Sequence, residues 1–470
     1  MSRLRLLASA FAALIALPLH ASDRADQREQ FRSALAAAAH GPELVWKKLA
    51  ATLDQARYPL TPYVELTALR KRVAKLSRAD VEDFLKRWPD TLAASDLRDA
   101  YLRELARRKD WATFRAMGTP GAARDLQCDA LQAELAAGKN FDYARDLDTL
   151  WLDSRALPNA CDPVFSAARH EGVLTDAQVW ERLHRMAANG NASSAADAAA
   201  LLSGSDRAAA DRVVAAVRDP VSTFAKAKTW TDDAQTRDAV SYALMRYARR
   251  NSAATETAWA DLETRFKWAE AQKNRILNAI AVFRSTSYSP DALARMKALP
   301  ADAEDDTSRE WRVRIALSRS DWKETLAALD ALSSEQKTDP RWRYLRARIL
   351  GKLGRKNEAD ALFTQVAREA NFYGFLAADW TGQPYSICPR KLARDAGAEA
   401  ALAKQPDLER AFEFRELDML GNARREWNFA MTKLDDGQRR LAADLAYRRG
   451  WYDRAVFAFS REPETQQLYE

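Results

Sequence analysis

At 470 residues the chain exceeds what one compact core organises, so several domains or an extended repeat array is expected. Few Gly and Pro (15 and 16), abundant Ala, Leu, Arg and Glu and almost no β-branched runs point to helix and exclude a β-rich fold. The net charge of +7 is scattered over many helices; it is too diffuse for a nucleic-acid partner but compatible with an anionic polymer such as a cell-wall glycan.

In chain order, Arg3 and Arg5 precede the apolar run "LLASAFAALIALPL" (residues 6–19), and Ala21 offers a small residue for cleavage. Residues 1–21 therefore read as a secretory signal peptide, with the mature chain starting near Ser22 in the periplasm. Removing Arg3 and Arg5 takes the charge from +7 to +5. No Cys follows the run, which disfavours a lipid anchor, and no later stretch is apolar enough to span a membrane. "LRELARRKDWATF" ends a helix at Lys109, turns at Asp110 and restarts at Trp111. In an oxidising compartment Cys128 and Cys161 could be bridged or stay as buried thiols; the residues alone leave both open, and Cys388 lies far away. The breaks "GTPG" (118–121), "LPNACDP" (157–163), "ANGNASS" (188–194) and "SYSPD" (287–291) divide the chain into many short helices. His20, His40, His170 and His184 and the three Cys show no ligand spacing, so neither a metal nor a cofactor is expected. His184, in "WERLHRMAA", is expected on a helix surface.

Further on, "DAEDD" (302–306) reads as a solvated acidic loop. "VRIALSRSDWKETLAAL" repeats the helix–turn–Trp phrase around Asp321 and Trp322, and "ADLAYRRGWYDRAVFAF" repeats it around Gly450 and Trp451. "RWRYLRARILGKLGRKNEADALF" sets Gly354 in a turn, with Ala359 and Phe363 on the second helix, in the manner of a tetratricopeptide hairpin. Such hairpins cannot bury both faces alone and stack into a superhelix with a broad inner surface. In "NFYGFLAADWTGQPYSI" (371–387), Phe372, Leu376 and Trp380 form one apolar stripe and Tyr373 and Phe375 a second. That pattern is expected to pack as core, with Gly382 and Pro384 ending the helix.

Chemistry is sparse. There is no glycine-rich phosphate loop, no Gly-x-Ser-x-Gly turn and no helix with paired His ligands. Sixty-six acidic residues supply many carboxylate pairs at helical spacing, and surface pairing and capping account for nearly all of them.

"LQCDALQAELAAG" with "LWLDSRALPNACDPVF" (126–166), "NFYGFLAADWTGQPYSI", "RAFEFRELDMLGNARREWNF" (410–429) and "LAYRRGWYDRAVFAF" (445–459) together resemble the large soluble periplasmic lytic murein transglycosylases. The resemblance implies an all-α fold: a right-handed α-superhelix of irregular tetratricopeptide-like hairpins, ring- or U-shaped, over residues 22–384. A small helical linker domain would follow over 385–470. It also implies that Cys128 and Cys161 are a bridging pair, which loop closure makes worth about 3 to 4 kcal/mol. Enzymes of this family cleave the MurNAc–GlcNAc β-1,4 bond to 1,6-anhydro products through a single Glu, where most glycosidases use two carboxylates. That Glu sits in a Glu-Ser step followed by Gly-Leu-Met-Gln, and this sequence contains neither. No catalytic residue is assigned, and the chain by itself is expected to be inactive. Two functions follow as expectations. One is the non-catalytic region that binds peptidoglycan glycan strands through basic inner faces, with no individual binding residue assigned. The other is a periplasmic scaffold for a protein partner such as a cell-wall synthesis enzyme.

Overall fold

A computed structural model of the chain describes residues 19–118, 121, 123–153, 155–387 and 396–459. The expected signal peptide and Cys388 lie outside these residues, save for the signal's last three positions. Every regular element among the described residues is a helix, and the fold is an all-α superhelix of hairpins.

The turns follow from local chemistry. Lys109 (φ 60°) closes the helix Leu92–Arg108, and Asp110 then accepts from the Thr113 amide at 3.1 Å to open Trp111–Ala116. The same device recurs at Ser320 (φ 55°) and Asp321, which accepts from the Glu324 amide at 3.0 Å ahead of Trp322–Asp330. A short side-chain acceptor satisfies amide groups that the new helix leaves without partners. Gly354 takes φ 78° between Pro340–Lys352 and Lys356–Val366, and the following helix buries Ala359 and Phe363 as the hairpin pattern requires.

The chain divides into two compact units. One comprises residues within Gly138–Leu392, where successive helices pack on their neighbours and on the next helix but one. The series runs through Asp176–Ala188, Gly204–Arg218, Ala234–Ala248, Glu270–Thr286 and Asp306–Ser318, and each member lies beside the next. The other unit joins residues within Met1–Ala137 to residues within Ala393–Arg461. Within this unit, helices near the C-terminal end complete a core begun near the N-terminal end. Phe31 from Leu19–His40 and Tyr63 from Thr61–Lys71 meet Phe414 of Pro406–Glu416 at 6.3 and 4.7 Å between ring centroids. Phe412, Trp427 and Trp451 extend that core as a three-ring cluster with centroids 5.4 to 6.0 Å apart.

Three local expectations change. The helix Phe372–Thr381 is capped as expected, with the Asn371 side chain accepting from the Gly374 amide and Gly382 in the left-handed region. Its buried face, however, is Gly374, Ala377 and Ala378, while Phe372 and Trp380 are 66% and 56% exposed. The reason is clearance: a Cβ at Gly374 would stand 1.9 Å from the Glu369 carbonyl oxygen, so only the small-residue face can approach the chain that closely. Trp380 lies over Phe363 (5.4 Å) beneath the Arg348 guanidinium (4.4 Å), a half-covered position at the rim. The "DAEDD" stretch is a helix start: Asp305 and Ser308 form a capping box for Asp306–Ser318, and Glu304 pairs with Arg309. His184 is half-buried between two aromatic rings, away from the open helix surface expected of it.

Candidate functional site

Three helices of the 138–392 unit build a ladder of stacked side chains. Asp176–Ala188 presents Trp180 and His184 one turn apart, so their rings stack at 5.4 Å and 27°. Ala234–Ala248 presents Asp238 and Tyr242 at the same spacing, and the Tyr242 ring lies 5.8 Å from His184 at 30°. Glu270–Thr286 adds Arg275, whose guanidinium carbon sits 4.2 Å from the Tyr242 centroid. Polar bonds hold the rungs in register. The Tyr242 hydroxyl and His184 Nδ1 are 3.2 Å apart, and Arg275 Nη1 donates to Ser241 Oγ at 2.6 Å. Asp238 stands 3.5 Å from Arg275 and 3.9 Å from His184. Burial pushes the His184 pKa below its ordinary value against the opposing pull of Asp238, and pushes Tyr242 up to about 12. The imidazole is therefore neutral and the phenol protonated at neutral pH. With the phenol against the imidazole and no nucleophile in the stack, the ladder offers flat faces and hydrogen bonds rather than acid–base chemistry.

Arg275 also borders a cavity of about 690 Å³. Buried Ala279 and Val282 and half-buried Met245 and Phe283 supply apolar lining, and Asn274 and Asn278 supply amides. Asn278 Nδ2 is anchored to the Ala303 carbonyl (2.6 Å) and Ser308 Oγ (3.3 Å), which leaves its amide oxygen to offer. Asn274 Oδ1 has no hydrogen-bond partner. Exposed Glu270, Asp302 and Asp305 add carboxylates to the lining. Apolar surface with a few fixed amides and a guanidinium suits a neutral, hydroxyl- and amide-bearing ligand. It is not the basic face anticipated from the net charge. Among the described residues no group of three or more His, Cys, Asp or Glu could hold a metal ion.

A second polar cluster lies in the other unit, and its carboxylates are enclosed. Glu426 is 0% exposed; it accepts from the Tyr63 hydroxyl and, at 2.9 Å, from Arg410 Nε. Arg410 also pairs with Asp407, which accepts from Lys433 at 2.7 Å. Glu413 accepts from Tyr58 (3.0 Å) and from both sides of the Arg28 fork (2.7 and 3.1 Å). Burial raises the Glu426 pKa, with Arg410 and Tyr63 opposing the rise. A raised carboxyl pKa is a mark of catalytic acids, but no substrate atom reaches a side chain this enclosed, so the cluster works as a joint. Sequence reading missed it. The signal available was Glu413 between Phe412 and Phe414, an acid inside an apolar run. Cys128 and Cys161 are each fully buried and disulfide-bonded.

Known proteins share both the sequence and the architecture. Residues 401–462 match the soluble lytic murein transglycosylase L domain, which spans the Pro406–Glu416 and Leu420–Met431 helices of the joint. A solved lytic transglycosylase Slt from Pseudomonas aeruginosa, an inactive mutant, is 30% identical with a TM-score of 0.76 over 93% of this chain and 71% of that one. The chain belongs to the soluble lytic murein transglycosylase family. The soluble lytic murein transglycosylases of Escherichia coli K12 and Salmonella typhimurium LT2 are 27% and 26% identical over 85% of this chain. The chain spans 62% of the length of these two family members. The 70-kDa soluble lytic transglycosylase of Escherichia coli, 24% identical, shares the fold with a TM-score of 0.79 over 92% of this chain. No helix among the described residues of this family member is long and apolar enough to cross a membrane.

Proposed function

We propose that this chain is the superhelical (22–384) and linker (385–470) region of a periplasmic lytic murein transglycosylase, and that it holds peptidoglycan glycan strands without cleaving them. Residues 1–21 would direct it there as a cleaved signal peptide, and Cys128 would pair with Cys161. The observation that carries the strand-holding role is the cavity beside Arg275. Murein sugars present hydroxyl and acetamido groups on rings with apolar faces. Anchored Asn278, unpartnered Asn274 and the apolar Met245 and Phe283 match those groups in kind.

Pull-down on purified sacculi at low and moderate salt tests this reading. Retention at both salts is expected, with Asn278→Ala weakening it about tenfold, equivalent to about 1.4 kcal/mol. Absence of retention at either salt removes the proposal. Murein zymography is expected to show no lysis by this chain alone, and a lytic band would overturn the non-catalytic assignment. Peptide mapping without reductant should recover the Cys128 and Cys161 peptides as one linked species.

A further inference from the structure

A smaller cavity of about 320 Å³ lies among the helices Trp322–Asp330, Ser334–Thr338 and Pro340–Lys352. Its chemistry is opposite to that of the cavity beside Arg275. Lys337, Arg343 and Arg346 line it, together with Trp342, Leu329, Leu332 and the single acid Asp330. Trp342 is only 4% exposed, yet its indole Nε1 has no hydrogen-bond partner. An indole N–H can only donate, and a buried donor without an acceptor is costly to maintain. The ring is held in place by the Arg341 guanidinium, 4.1 Å from its centroid.

The charges point the same way. Arg346 pairs with Asp330, and Arg343 Nη2 reaches Glu369 at 2.6 Å. Three cations against Asp330 and Glu369 leave one positive charge, and Lys337 has no ion-pair partner among the described residues. A single monoanionic acceptor would satisfy the indole donor and balance Lys337 together, while Leu329 and Leu332 provide wall for a small alkyl group.

We infer that this cavity is a binding site for a carboxylate borne on a small apolar group, as at the C-terminus of a short peptide. One carboxylate oxygen accepts from Trp342 Nε1, and Lys337 supplies the counter-charge. The site is separate from the strand-holding cavity, and neither assignment depends on the other.

The test follows the indole N–H signals of the full ¹⁵N-labelled chain during titration with N-acetylalanine, N-acetylalaninamide or inorganic phosphate. Trp342→Phe identifies the reporting signal among those of the 14 Trp. N-acetylalanine should move that signal downfield with saturation, and the neutral amide should leave it in place. Lys337→Gln, on an exposed side chain, should weaken the N-acetylalanine midpoint about tenfold without unfolding the protein. Three results would each overturn the assignment: equal shifts with acid and amide, no shift with the acid, or tighter saturation by phosphate than by N-acetylalanine.

Discussion

The Glu426 cluster and the Arg275 ladder use the same vocabulary of Arg, Tyr and carboxylates, yet they end in opposite states. Around Glu426, Arg410 and Tyr63 converge on a carboxylate with no solvent exposure, and Asp407 and Lys433 close the ring of partners. Along the ladder, Asp238 and Ser241 take only part of what Arg275 can donate, and the neighbouring cavity stays open. An enclosed, densely paired charge network rigidifies a joint even though Glu426 Oε2 has no hydrogen-bond partner among the described residues; a partly committed network beside an open cavity is free to meet a ligand. Enclosure and the number of charged partners separate the two clusters, and residue type does not.

The largest effect should come from breaking the sealed network. Glu426→Ala leaves Arg410 buried with one partner fewer and should destabilise the chain by about 3 to 5 kcal/mol in urea denaturation. A loss below about 1 kcal/mol would mean that the enclosed cluster is no joint. Asp129 probes a carboxylate between the extremes: it is buried, and burial together with nearby Asp125 raises its pKa to about 6 from the ordinary 3.8. A carboxyl pKa raised by folding favours the folded state at low pH, and that benefit is lost as pH rises through about 6. Asp129→Asn should therefore be more stable than the parent at pH 7 by about 1 to 3 kcal/mol, with the gap closing toward pH 4. A constant difference across that range would contradict the assignment. At the open end of the comparison, Arg275→Ala removes a cation–π contact, the Ser241 hydrogen bond and the Asp238 contact and should cost about 1 to 2 kcal/mol of stability. Its main effect should be weaker sacculus retention, so a large thermal shift would place the ladder with the joints. Trp380→Ala, stripping a rim residue, should lower stability least, by about 0.5 kcal/mol. A loss of several kcal/mol would return that ring to the core position first expected of it.

Much of the fold was legible. The turns at Lys109–Asp110, Ser320–Asp321 and Gly354 are set by a left-handed residue and in two cases a short side-chain acceptor, which the chain carries locally. The aromatic helix was legible only in its caps. Its buried face was decided by how closely Gly374 approaches the Glu369 carbonyl, and periodicity in a helix with apolar residues on several faces cannot register that clearance. The candidate site was not legible. Trp180 and His184, or Asp238 and Tyr242, are ordinary pairs within a helix, and they become a ladder only when a superhelix lays separate helices side by side.

The sequence by itself determined helix content, hairpin punctuation and family resemblance, because caps, propensities and short phrases act within a few residues of one another. Tertiary structure alone decided that helices from opposite ends of the sequence share a core through Phe31, Tyr63 and Phe414. It alone decided which carboxylates are enclosed and which cavities stay open. Burial and partner count arise from contacts tens to hundreds of positions apart, and no local pattern encodes them.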